Sequence, residues 1–186
     1  MKKPVPYALP SLAYRQAIYQ VYLSIYERRQ ALEPIRVQLL TNLLGGRPWA
    51  WRVVGISEGA IKHFVENDYR SSKGLQRDHF IQRRHDTYST MLSKNDTPME
   101  FEAWWQYFWH NDRTVMMTKA EHNSKNKNEL FCYPIDWRER YFPTNTIGYK
   151  FRITIEGAWL KEMIPTSELL PISTIAALPT GFNENA

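Results

Sequence analysis

The sequence predicts an α+β protein, a helical scaffold that carries a few short strands. Two observations point there. Apolar and aromatic residues recur at helical spacing over 11–33 and 99–109, while β-branched and aromatic runs stand at 49–56, 113–118 and 149–156. A third, composition, makes the fold ordered: 43% of the 186 residues are hydrophobic and 14% aromatic, including seven Trp and eleven Tyr.

In chain order, Leu12, Ile18, Tyr19, Tyr22, Ile25 and Tyr26 give Ser11–Glu33 one apolar helix face, which Pro34 interrupts. Ile35–Leu44 continues as a second helix closed by Gly45-Gly46. Trp49–Ile56 is a strand candidate, and Ser57 can cap a short helix reaching Asn67 with Ala60, Ile61, Phe64 and Val65 inward. Leu75–Gln82 fits a strand, yet Phe80, Ile81, Tyr88, Met91 and Leu92 also fit a helix, so both assignments stand. Thr97-Pro98-Met99-Glu100 has the pattern of a capping box with Pro at the first helical position. The helix it opens carries Phe101, Trp104, Trp105, Phe108 and Trp109 on one face and is the main core helix.

Arg113–Thr118 reads as a strand, and Thr118-Lys119-Ala120-Glu121 is a second capping box. The helix expected from it, 119–130, has no apolar residue between Ala120 and Leu130, so no ordinary core stripe holds it. Tyr149–Glu156 alternates as a strand, and 165–186 is expected to run as an extended tail.

Net charge is +5. Six Lys or Arg residues lie between Lys62 and Arg84 against Glu66, Asp68 and Asp78, and Lys119, Lys125 and Lys127 form a second cluster. Charge alone suits a solvated face as well as a nucleic-acid footprint. Pro4, Pro6 and Pro10 argue against a signal peptide, and no apolar run approaches the roughly 20 residues that cross a bilayer. The single cysteine, Cys132, excludes an internal disulfide and a Cys-rich zinc site. A cytoplasmic protein without a membrane partner is therefore expected.

The chemistry sits in RDHFIQRRHDTY, where Asp78-His79 is followed by Arg83, Arg84 and His85, and in TVMMTKAEHNSKNK, where a strand feeds a polar helix carrying His122 and Asn123. Together these pieces resemble the HNH (ββα-metal) nuclease family, of the restriction or homing type or the HNH domain of RNA-guided CRISPR effectors. The resemblance implies a small ββα-metal core inside the helical scaffold, with the Trp-rich helix as a long helical insertion between its two strands. It implies one domain over 1–164: a helical part at 11–67, the ββα-metal part at 74–130 and a strand region at 131–164. Asp78 and Asn123 would then hold one Mg²⁺, with His122 as the alternative ligand. His79, on the opposite side of the strand from Asp78, would be the general base that activates water. Arg77, Arg83, Arg84, Lys125 and Lys127 would contact the phosphate backbone. His110 is the reserve base.

The function expected on this reading is metal-dependent hydrolysis of DNA phosphodiester bonds by a restriction-type enzyme, with a homodimer serving the two strands of a palindromic target. A non-enzymatic nucleic-acid-binding protein, using the basic segments 62–84 and 119–127, is the alternative. A third is an interaction protein whose aromatic helix meets a partner.

Overall fold

The computed structural model describes residues 9–81, 86–93, 96–124, 126–143, 148–163 and 168–178. The elements run α1 (Leu12–Glu27), α2 (Arg36–Leu44), β1 (Arg52–Ser57), α3 (Glu58–Glu66), β2 (Leu75–His79), α4 (Tyr88–Ser93), α5 (Phe101–Asn111), β3 (Arg113–Thr118), α6 (Lys119–Asn123), β4 (Phe131–Pro134), α7 (Ala158–Met163), β5 (Leu170–Pro171) and α8 (Ile172–Ala177). The chain is mixed α+β and divides into two compact units. One comprises Ala8–Ala50 and Ile81–Asp112; the other holds Trp51–Phe80 and Arg113–Pro179.

The first unit is helical. Ser11 caps α1, its hydroxyl accepting from the Tyr14 amide. The α5 stripe behaves as its spacing predicts: Trp104, Trp105, Phe108 and Trp109 are fully buried. Tyr22 stacks on Trp104 at 5.2 Å, and Trp49 meets Trp105 edge-on at 5.4 Å. The box expected at Thr97 is not made; α5 starts at Phe101 with Glu100 as an N-cap that lacks a side-chain bond. Two α1 tyrosines hold the preceding residue. Tyr19 donates to the Met99 carbonyl at 2.6 Å, and the Met99 amide donates to the Tyr22 hydroxyl at 3.2 Å. Those bonds outcompete the local cap.

The second unit is built on a five-stranded mixed sheet in the order β2-β3-β1-β4-β5. β1 runs parallel to β3, whereas β2–β3, β1–β4 and β4–β5 are antiparallel. Each face has its own core. Val53, Ile56, Leu75 and Met116 pack with α3, α7 and Phe142 on one face. Val54, Val115, Met117 and Cys132 pack with Ile172 and Ile175 of α8 on the other. A sheet covered on both faces explains the unbroken apolar runs of β1 and β3.

Three expectations change here. β2 makes Leu75–His79 a strand, and Tyr88, Met91 and Leu92 belong to α4 instead. Tyr149–Glu156 is not a strand; Ile153–Gly157 forms a π-helical turn leading into α7. The cause is Glu156, whose fully buried carboxylate accepts from the Phe142 amide at 3.0 Å and the Arg152 amide at 2.6 Å and pairs with the Arg152 guanidinium. The tail is not extended throughout, because β5 and α8 occupy 170–177 with Ile172 and Ile175 buried. Arg113 holds the end of α8 by donating to the carbonyls of Ala176 at 2.7 Å and Leu178 at 3.1 Å.

Candidate functional site: Asp78, His122 and Lys127

Strand pairing decides which side chains meet. In β2–β3, Asp78 lies opposite Val115, and Arg77 and His79 lie opposite Met116 and Thr114. Cross-strand partners share a face and successive residues alternate, so Asp78 lies on the Val115–Met117 face and His79 on the Leu75–Met116 face. Contacts agree with this. The His79 ring lies 4.3 Å from that of Trp51, and the Arg77 guanidinium lies 4.9 Å from the same Trp51 ring.

At the far end of β3, Thr118 accepts from the Glu121 amide at 3.1 Å, and the Glu121 carboxylate accepts from the Thr118 amide at 2.8 Å. The expected capping box is therefore made. Because β1 is parallel to β3, its own strand-to-helix turn emerges at the same end, with Ser57 capping α3. The same Glu121 carboxylate reaches across to it: Oε2 accepts from the Ser57 hydroxyl at 2.7 Å and Oε1 from the Gly59 amide at 3.1 Å. α6 packs back over β2 and β3. It ends at Asn123, well short of the expected 130, and Lys127 opens a 3₁₀ turn, Lys127–Glu129.

This path brings three side chains together. Lys127 Nζ lies 2.6 Å from Asp78 Oδ2, and His122 Nδ1 lies 3.2 Å from the same oxygen. The Asp78 side chain is 16% exposed, while His122 and Lys127 are 38% and 36% exposed. A carboxylate held largely out of water thus carries two basic groups that reach solvent.

The sequence-predicted site residues are placed unequally. Asp78 and His122 come together, and Lys127 joins them as an ion-pair partner of Asp78, a role the spacing did not suggest. His79 is turned to the opposite face, against Trp51, away from that cluster. Asn123 is exposed at the last position of α6. Arg77 is engaged within the fold, donating to the Gly148 carbonyl at 2.6 Å and the Trp51 carbonyl at 3.3 Å. Arg83, Arg84 and Lys125 lie outside the described residues. His110 belongs to α5 in the helical unit. Cys132 is fully buried, and burial, with the Glu121 carboxylate adding to it, pushes its thiol up to about 12. That is no nucleophile.

The donors at Asp78 do not fit Mg²⁺ in this arrangement. Mg²⁺ takes near-octahedral oxygen ligands, whereas here one carboxylate oxygen already holds an ammonium and its other neighbour is an imidazole nitrogen. Among the described residues, no group of three or more His, Cys, Asp or Glu side chains is gathered to hold an ion. Glu121 and its hold on Ser57 and Gly59 were not anticipated. Each cap was visible alone, but their shared carboxylate depends on β1 and β3 being parallel neighbours. No family model, curated protein or solved structure matches the chain.

Proposed function

We propose that the Asp78–His122–Lys127 cluster hydrolyses phosphodiester bonds of nucleic acid, DNA in the first instance, with His122 as general base. The observation that carries this is the convergence of His122 Nδ1 and Lys127 Nζ on Asp78 Oδ2, at 3.2 and 2.6 Å. An antiparallel strand pair feeding a capped helix laid back on it supports the reading, since that is the order of elements in a ββα nuclease.

The chemistry follows from the roles. Asp78 Oδ2 lies 3.2 Å from Nδ1, close enough to attract a proton on that nitrogen although the two are not aligned as a hydrogen bond, which favours Nε2 as the basic atom. Water gives a proton to Nε2 as its oxygen bonds to phosphorus. The P–O bond to the sugar oxygen breaks, and that oxygen takes a proton from solvent. Asp78 stabilises the imidazolium that forms, and Lys127 places positive charge where the phosphate gains negative charge. No step is assigned to a metal ion or to Asn123.

Supercoiled plasmid incubated with the protein, with and without Mg²⁺, tests this. Nicking that is lost in His122→Ala and retained in His79→Ala is the expected result. DNA binding without nicking under either condition overturns the proposal in favour of a non-enzymatic binding protein.

A further inference from the structure

Glu121 touches none of the three cluster residues' reacting atoms, yet it precedes His122 in a helix of five residues. Its carboxylate accepts four hydrogen bonds: from the amide and hydroxyl of Thr118, both at 2.8 Å, from the hydroxyl of Ser57 at 2.7 Å and from the amide of Gly59 at 3.1 Å. Two of these donors belong to α6's own cap. The other two lie at the start of α3, 64 and 62 residues away in the chain. One side chain therefore ties α6 to an element that packs on the sheet by Ala60, Ile61 and Phe64.

α6 lies over β2 and β3 without a buried side chain of its own, so no apolar face docks it. Gly59 shows that the space for the carboxylate is specific: a Cβ at that position would stand 2.5 Å from Glu121 Oε1. Only glycine lets the carboxylate reach the α3 amide without displacing it. His122 is the next residue along, and its ring reaches Asp78 across the strand pair.

We infer that Glu121 is a positioning residue: its bridge from α6 to the Ser57–Gly59 turn is what holds His122 Nδ1 against Asp78. The inference rests on the proposed role of His122 for its functional meaning, but its geometry can be read without any substrate. Nitrogen-15 NMR of the imidazole reports which ring nitrogen carries the proton, and this follows the partner each nitrogen faces. In the unsubstituted protein, neutral His122 is expected to carry its proton on Nδ1, towards Asp78 Oδ2 at 3.2 Å, and Asp78→Ala serves as the reference for loss of that partner.

Glu121→Gln places an amide against the hydroxyl and amide donors, and Gly59→Ala pushes the unchanged carboxylate away from α3. Both are expected to shift His122 towards the Nε2-protonated form expected of Asp78→Ala. Ser57→Ala, which removes one bond of the four, gives a smaller shift in the same direction and serves if Glu121→Gln does not fold. Retention of the Nδ1 proton in folded Gly59→Ala and Ser57→Ala, with only thermal stability lowered, overturns the inference. So does an unsubstituted protein whose His122 carries its proton on Nε2. If the tautomer follows Glu121 while plasmid remains uncut, the coupling stands and the hydrolase proposal falls.

Discussion

Lys127 Nζ lies 2.6 Å from Asp78 Oδ2, joining residues 49 positions apart. The pair is partly open to water, since the lysine side chain is 36% exposed, so its contribution to stability is that of a surface ion pair. Lys127→Met is expected to change unfolding free energy by less than about 1 kcal/mol. If the ammonium serves the phosphate, the same substitution lowers plasmid cleavage by roughly 10²-fold. Denaturant titration and nicking rates measured on one preparation separate the two effects.

His122 and His79 make a paired comparison. Loss of a general base lowers turnover by roughly 10²–10⁴-fold, which is the expectation for His122→Ala with little change in folding. His79 packs on Trp51 on the other sheet face. His79→Ala is expected to lower the melting temperature and leave the rate of correctly folded protein within about tenfold, well short of a general base's contribution. The reverse pattern in steady-state rates would return the base to His79.

Gly59→Ala is a test of sign. At an ordinary helical position alanine is more favourable than glycine by roughly 0.8–1.0 kcal/mol. Here the added methyl meets the Glu121 carboxylate at 2.5 Å. The substitution is expected to destabilise instead, by roughly 1–3 kcal/mol. Urea unfolding monitored by Trp fluorescence reads it directly.

Glu156 is fully buried and serves the Phe142 amide, the Arg152 amide and the Arg152 guanidinium together. Removing it leaves two amides without their acceptor and the Arg152 guanidinium, 30% exposed, with the Arg140 carbonyl in place of its ion-pair partner. Glu156→Ala is expected to cost roughly 3–5 kcal/mol, the range for breaking a buried ion pair from one side. Circular dichroism melts check this, and a loss below about 1 kcal/mol, typical of exposed pairs, would refute the role assigned to the carboxylate.

Alkaline pH probes the buried acids. Burial raises the Cys132 thiol from 9.0 to about 12 and the Tyr22 hydroxyl from 10.0 to about 12. Both groups are raised in the folded state, so the unfolded chain releases these protons first as pH climbs. Stability is therefore full below about pH 9 and falls progressively between pH 9 and 12. The Cys132 thiol should also resist iodoacetamide at pH 8 until the protein is unfolded, which mass spectrometry can follow.

Much of the fold was legible locally. The Trp104-Trp105-Phe108-Trp109 stripe, the Ser57 cap and the Thr118–Glu121 box all depend on residues within two helical turns of each other, and each formed as its spacing predicts. The misreadings have one kind of cause. The box at Thr97 lost to two tyrosines of α1, and the strand expected at Tyr149–Glu156 lost to a carboxylate that bonds Phe142. Distant partners offered better bonds than the local pattern could.

The site divides along the same line. Sequence by itself determined that Asp78 lies beside His79 and that a capped polar helix bearing His122 follows the strand Arg113–Thr118. It also showed that 149–156 alternates, but the strand read from that alternation is not what forms. Only the tertiary structure decided that Asp78, not His79, faces α6, because antiparallel register assigns each residue of β2 to a face. It alone brought Lys127 to Asp78 and Glu121 to Gly59, since both contacts require strands separated along the chain to lie side by side. Spacing along a chain can specify a helix face; which of two neighbouring side chains meets a partner 49 residues away is decided by pairing between strands.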